Sequence, residues 1–436
     1  MTVQHPNMLS VPIAERCTAS PVAKQRLRPS LRAAMLGAAL LAGAGPAVSL
    51  ADGLQPLVNA IADSTPLLDL RLRSETVDQA GFADQADALT LRGRLGFETG
   101  EAWGTSLLAE ADLMAPLDER YNSTINHETQ YPVVADPQNY GLDRLELANT
   151  SLPGTKLIVG RQRINLDDQR FIGSVDFRQN EQTFDSARIV NTSIPKVTID
   201  LIYLDRVNRV YGARSPVGRY TGDSYLANVS YDTPFGKLTG FGYFMAFQQA
   251  HPQSTGTVGA RFAGARPVDG WLIHYSASYA SQKPYADNTL RFSNDYYAGE
   301  VTGALGHLSV GGGLEVLGGD GAIGFSTPLA TLHKFNGWAD EFLTTPVNGL
   351  QDRYATIGST WKAVGILDVL SVTAVYHDFR SERLGESYGT ETDLQLLGSW
   401  RRLTGSIAFA DYAAEHFAAE TRKLWVEIDY ALGNDS

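Results

Sequence analysis

Arginine and carboxylate side chains recur together in this chain, and such pairs do one of two things. Buried face to face they brace a wall; set along water, arginines hold anions, because the guanidinium stays charged at any ordinary pH. Arg92, Arg94, Arg144, Arg161 and Arg188 take the polar parity of neighbouring strand-like segments. They are expected as a basic ladder inside a pore, with Glu98, Glu110, Asp112 and Glu146 as the acids that would pair with them in a purely bracing role. Arg170 and Arg178 sit in a charged connection, 165–182, and Phe335 and Trp338 in a long apolar-rich one, 319–350. These four are expected to form a constriction made by loops.

Other chemistries find less. Asp167, Asp168, His333 and His377 could serve an acid–base site, but they are scattered and no nucleophile motif accompanies them, so no catalytic residue is assigned. The eight histidines show no metal-ligand spacing. Gly311 to Gly313 and Gly318 to Gly321 resemble a phosphate loop in composition only, since no helix start follows them. No cofactor or metal is expected. The net charge of −12, without any Lys/Arg run carrying interleaved aromatics, excludes nucleic acid as a partner.

The elements that must carry the arginines are strands. Leu68, Leu70 and Leu72 alternate with Asp69, Arg71 and Arg73, and Leu89, Leu91 and Leu95 alternate with Thr90, Arg92 and Arg94. Period two with one apolar face is the strand signal. The same count predicts eighteen strands: 67–77, 87–98, 103–113, 142–151, 155–164, 183–192, 196–205, 223–232 and 236–248, then 256–266, 270–281, 293–304, 307–318, 351–361, 367–379, 389–399, 403–412 and 422–432. Gly- and Pro-containing tight turns alternate with long connections at 114–141, 165–182, 206–222, 282–292, 319–350 and 380–388.

Short turns at one end and long loops at the other describe an outer-membrane barrel. The fold class expected is therefore all-β, a transmembrane antiparallel β-barrel of about 18 strands with long extracellular loops and short periplasmic turns. Backbone groups in hydrocarbon all need partners, so the sheet must close, and eighteen strands enclose an aqueous channel unless something fills it. Phe241, Tyr243, Met245 and Phe247 are expected on the lipid side, as are Trp271, Ile273, Tyr275 and Tyr279, and Leu424, Val426, Ile428 and Tyr430.

Ahead of the barrel, Lys24, Arg26, Arg28 and Arg32 precede an apolar core, Ala33 to Gly45, and Ser49-Leu50-Ala51 fits a cleavage site. Residues 1–51 are thus expected as a signal peptide and 52–436 as the barrel. The one cysteine, Cys17, falls in the leader. The segment 52–66 shows little pattern and is too short for a plug domain, which leaves the loops as candidate plugs.

With the pattern in place, two blocks resemble the alginate export family of outer-membrane porins. One is Gly160-Arg161-Gln162 with Asp167 to Arg170, Ile172-Gly173, Phe177 to Asn180 and Thr183-Phe184-Asp185; the other runs from Phe325 to Asp340 and on through Phe342 to Pro346. The resemblance implies a monomeric eighteen-stranded barrel whose loops fold over or into the pore, and an anionic polysaccharide passing an arginine-lined constriction. The functional expectation is a porin or exporter in the bacterial outer membrane, in contact with its lipid, for small hydrophilic or anionic solutes, with a polyuronate such as alginate as the family's polymer. Two alternatives are a barrel enzyme of lipase or protease type and a structural barrel with a blocked lumen.

Overall fold

Alternating side chains do become strands. The computed structural model describes residues 50–433, so the expected leader lies outside the described residues as far as residue 49. The first nine strands are β1 (Thr65–Gln79), β2 (Ala86–Glu98), β3 (Thr105–Arg120), β4 (Asn139–Asn149), β5 (Thr155–Gln162), β6 (Thr183–Asn191), β7 (Val197–Asn208), β8 (Arg219–Thr233) and β9 (Gly236–Phe244). The rest are β10 (Thr255–Val268), β11 (Trp271–Pro284), β12 (Asn294–Leu305), β13 (Leu308–Leu317), β14 (Leu350–Val364), β15 (Leu367–Arg380), β16 (Ser387–Trp400), β17 (Leu403–Ala414) and β18 (Thr421–Leu432). Each pairs antiparallel with its neighbours in sequence, and β1 pairs with β18 from Leu68↔Leu432 to Gln79↔Thr421, which closes the barrel.

All eighteen expected strands are present. The largest boundary difference is at β3, expected to end at residue 113, which continues through Pro116 to Arg120. The β2–β3 register slips between Leu89 and Thr90, and Thr90 faces Pro116 there. A bulge of this kind tolerates a residue with no N–H to give to the ladder.

A second difference precedes the wall. The segment expected to be patternless contains a helix, α1 (Leu50–Ala62), hidden by Gly53 and Pro56, both poor interior helix residues. Leu54, Leu57, Val58 and Ile61 follow helical spacing along one exposed stripe. The carbonyl of Ala60 accepts from Gly100 N–H at 2.9 Å, which ties the end of α1 to the β2–β3 turn.

Connections 99–104, 150–154, 192–196, 234–235, 269–270, 306–307, 365–366 and 401–402 lie at one end, with 121–138, 163–182 and 318–349 among those at the other. The tight turns need special backbone: Gly154 has φ +62°, and a Cβ there would lie 2.9 Å from Ser193 backbone. By this asymmetry the first end is periplasmic.

Around the outside, Leu72, Leu95, Leu147, Ile189, Leu201, Val301, Ile357, Leu394, Val426 and Ile428 are exposed. So continuous an apolar band would aggregate in water and belongs in lipid. One expected lipid stripe is inverted. Phe241, Tyr243, Met245 and Phe247 are almost fully buried and point inward, leaving Leu238 and Phe244 outside. The reason is that this half of the lumen is filled with protein. Loop residues Ile164, Ile172, Phe325, Leu329 and Phe342 form a continuous apolar cluster with wall residues Phe184, Ile202, Tyr243, Tyr296, Phe379 and Trp425.

Candidate functional site

Two loops therefore enter the barrel, 163–182 after β5 and 318–349 after β13, and they grip one another and the wall. The Gly173 N–H donates to the carbonyl of Leu329 at 2.8 Å. Arg170, 2% exposed, donates to Glu315 on β13 at 2.7 Å, to Asn336 at 3.0 Å and to Thr327 at 3.3 Å. Its guanidinium also lies 4.8 Å from the ring centre of Phe335. Arg178 donates to Asp340 at 2.9 Å and to Glu75 on β1 at 3.3 Å. Asp340 in turn meets Lys423 on β18 and His333, each at 2.9 Å.

Burial alone would raise the Asp340 carboxyl, but Lys423, His333 and Arg178 together hold it far below the usual range. Burial pushes the His333 imidazole down, against the upward pull of Asp340. The ring of His333 stacks on Phe177 at 3.4 Å between centroids, and Trp338 packs at the edge of the apolar cluster. Arg170 and Arg178, expected to stand in a constriction, are clamps that tie the two inner loops to each other and to the wall. A guanidinium inside a packed loop has to find carboxylates, because an unpaired buried charge is costly.

The wall arginines are also paired. Arg92 meets Asp69, Arg144 donates to Glu110 at 2.9 and 3.1 Å, and Arg188 donates to Asp200 at 2.6 Å. Arg94 lies 3.4 Å from Asp143 and 3.2 Å from Glu181. Of the four acids proposed as partners from sequence, Glu110 has that role. Arg161 is placed differently from the ladder: its register partners are Leu145 and Asp185, on the row of lipid-side Val159 and Ile189. It donates to Asp185 at 2.7 Å and to the carbonyl of Leu142 at 2.9 Å, so it finishes the wall at the upper end of β5. Regular alternation along β5, with Ile158 and Gln162 buried inward, gives Arg161 the outward parity of Leu157 and Val159.

Several members of the site were not singled out from sequence. Asp143 reaches the lumen through a bulge: Glu110 pairs with Arg144 but Ala111 with Leu142, so Asp143 is an extra residue turned inward beside Arg144. Glu181 comes from the loop. There, burial would raise its carboxyl, yet Arg94 and Arg163 outweigh burial and lower it to about 2. Arg71 and Arg73 reach Asp429 and Glu427 across the β1–β18 seam. Their parity beside Asp69 was the available signal.

Glu110, Asp143 and Glu181 bring carboxylate oxygens within 4.8 Å of one another. Arg94, Arg144 and Arg163 answer them at 2.6–3.5 Å, so a divalent cation there would face three guanidiniums. This lattice separates two cavities. One, of about 230 Å³, is bounded by Arg71, Arg92, Arg94 and Arg163 with Asp69 and Asp176. The other, of about 240 Å³, has Asp112, Asp143 and Glu181 on its floor and reaches up to the 209–218 loop. They approach each other across the Arg94–Glu181 and Arg163–Glu181 contacts.

The residues weighed for catalysis have other partners. Asp167 accepts from Asn228, Asp168 meets Arg261, and His377 meets Asp352. Among the described residues, neither His333 nor His377 is bonded to a hydroxyl.

No protein-family model matches this chain, and no curated protein matches it in sequence. The resemblance to the alginate export family therefore rests on its two sequence blocks. In fold the chain is similar to solved outer-membrane porins of Pseudomonas aeruginosa. OccK8 (OprE) superposes with a TM-score of 0.68 at 14% identity, covering 86% of this chain and 99% of that one. OccK5 (OpdH) gives 0.66 at 15% identity, with 86% and 99% covered. OpdK solved with vanillate gives 0.64 at 16% identity, with 86% and 100% covered. At these identities the likeness carries the fold: this chain is a closed, eighteen-stranded antiparallel barrel of the outer-membrane porin type.

Proposed function

We propose that this chain is a channel of the bacterial outer membrane that passes small hydrophilic solutes, with small carboxylates foremost. The observation that carries the reading is the charged lattice between two cavities. Arg71, Arg92, Arg94 and Arg163 give one cavity a basic wall, and an anion leaving it meets the Arg94–Glu181 contact. A solute carboxylate can take the place of Glu181 on Arg94 or Arg163 while those guanidiniums stay charged. That exchange is passive transport, with no bond made or broken. The vanillate in the OpdK structure is itself a small carboxylate, and the same solute class is our candidate here.

A polyuronate fits less well. A polymer chain would have to displace the Arg170 and Arg178 clamps, which tie both inner loops to the wall. Because the single chain closes its own barrel, a monomer suffices for the pore. One observation favours a second reading, a structural barrel with a blocked lumen: the two cavities share no lining residue.

Swelling of liposomes carrying the purified protein separates these readings. Faster entry of small carboxylates than of neutral sugars of equal size supports the proposal. Equal rates would reduce it to a general pore, and an absence of flux would leave the blocked barrel.

A further inference from the structure

The wall is incomplete at one place. β5 has eight residues, and at about 3.3 Å per residue and a tilt near 40° they climb only ~20 Å, short of the ~25 Å apolar band of such barrels. Just beyond its upper end, at Arg163, the chain turns into the lumen. Pairing between β4 and β5 consequently stops at Leu145↔Arg161. Above it, residues 139–144 pair with β3 on one side and with no strand on the other.

Tyr140 and Leu142 on this bare edge lie opposite Leu113 and Ala111, on the outer face, and are 71% and 46% exposed. The 240 Å³ cavity occupies the gap, and its lining runs from Tyr140 and Leu142 through to Asp112, Asp143 and Glu181 in the lumen. The 209–218 loop forms a roof, with Arg214 donating to the carbonyl of Gln138 at 3.0 Å. Arg161 forms the sill, with its bond to the carbonyl of Leu142. An unpaired strand edge is not tolerated against hydrocarbon, so water or polar headgroups must fill the gap.

We propose that this gap is a side portal, through which small anions with an apolar body pass between the headgroup zone of the outer leaflet and the charged lattice. Arg161, Arg209 and Arg219 line it and attract the carboxylate. Tyr140 and Leu142 at the lip offer surface for an aromatic or aliphatic body. The destination of the path rests on the channel reading above; the existence of the opening does not.

The test uses three cysteine variants in a C17S background, since Cys17 is the only cysteine. Leu142→Cys lies at the portal, Leu147→Cys on the lipid side of the paired wall, and Val217→Cys in the roof loop. Each is reconstituted in lipid and exposed to a charged, membrane-impermeant thiosulfonate. The expected result is that Leu142→Cys reacts within about tenfold of the rate of Val217→Cys while Leu147→Cys is protected, and that the adduct at residue 142 lowers single-channel current at least twofold. Protection of Leu142→Cys equal to that of Leu147→Cys overturns the portal. Rapid reaction with unchanged current overturns its connection to the lumen. A barrel that conducts nothing would sink the channel reading, whereas the thiol rates would still decide whether the gap is open to water.

Discussion

Neutralising Glu181 tests the charged lattice most directly. In Glu181→Gln no guanidinium is stranded, because Arg163 keeps Glu110 at 3.5 Å and Arg94 keeps Asp143 at 3.4 Å. What changes is the field along the solute's path. A unit charge ~5 Å from a passing ion in water contributes about 0.8 kcal/mol, or roughly fourfold in local ion concentration. Since anions gain and cations lose by the same factor, the anion/cation permeability ratio should rise on the order of tenfold at low salt. At 1 M salt, where screening acts over ~3 Å, the change should fall below about twofold. Arg94→Ala should move the ratio the opposite way by a similar factor, and the double variant should return close to wild type. Arg161→Ala should move it toward cations by less than Arg94→Ala does, because Arg161 stands at the sill of the side opening and is paired with Asp185. Reversal potentials in planar bilayers under a KCl gradient read all four. Shifts of the same sign in Glu181→Gln and Arg94→Ala, or an Arg161→Ala shift as large as that of Arg94→Ala, would refute the placement of the lattice on the ion path.

Other consequences follow from the clamps. Arg170→Met removes the cation that partners Glu315, at a cost on the order of 3–5 kcal/mol, and should expose 318–349 to protease while the barrel keeps its heat-modifiable migration; a loop that stays protected would count against the clamp. Deleting residues 329–345 should raise conductance, and an unchanged value would rule out a plugging role for this loop. Acid should act through His333. Asp340 and Glu181 are depressed carboxyls, so what they contribute to docking is present above pH ~4 and is lost only as pH falls through their lowered values. His333 is depressed from ~6.5, so the undocked loop takes up its proton first and docking weakens as pH drops below that value. Current noise should therefore grow below about pH 6.5 in the wild type and stay flat in His333→Asn; identical profiles would remove the histidine from the account.

The wall was legible in the sequence because a strand reports its two faces every second residue. Leu89, Leu91 and Leu95 against Thr90, Arg92 and Arg94 needed only that rule, and the structure pairs them as β2. The rule failed wherever its premises did. A bulge put Asp143 on the lumen face, and the charge of Arg161 masked its place on the outward parity of Leu157 and Val159. The apolar stripe of β9 was recognised, but its direction was not, because alternation names an apolar face without saying whether lipid or a buried loop covers it. Ion-pair partners such as Asp200 for Arg188 depend on register between strands, which pattern alone does not set. The clamps were hidden for a related reason: Arg170 and Glu315 are far apart in sequence and meet only inside the closed barrel.

The seam between β1 and β18 couples the plug to the closure of the wall. Its two strands hold the inner loops as well as each other: Glu75 on β1 binds Arg178, Lys423 on β18 binds Asp340, and Arg71 on β1 donates to the carbonyl of Asp176. The backbone ladder that closes the wall and the side chains that hold the plug thus share the same two strands, so opening the β1–β18 ladder would loosen the plug together with the wall.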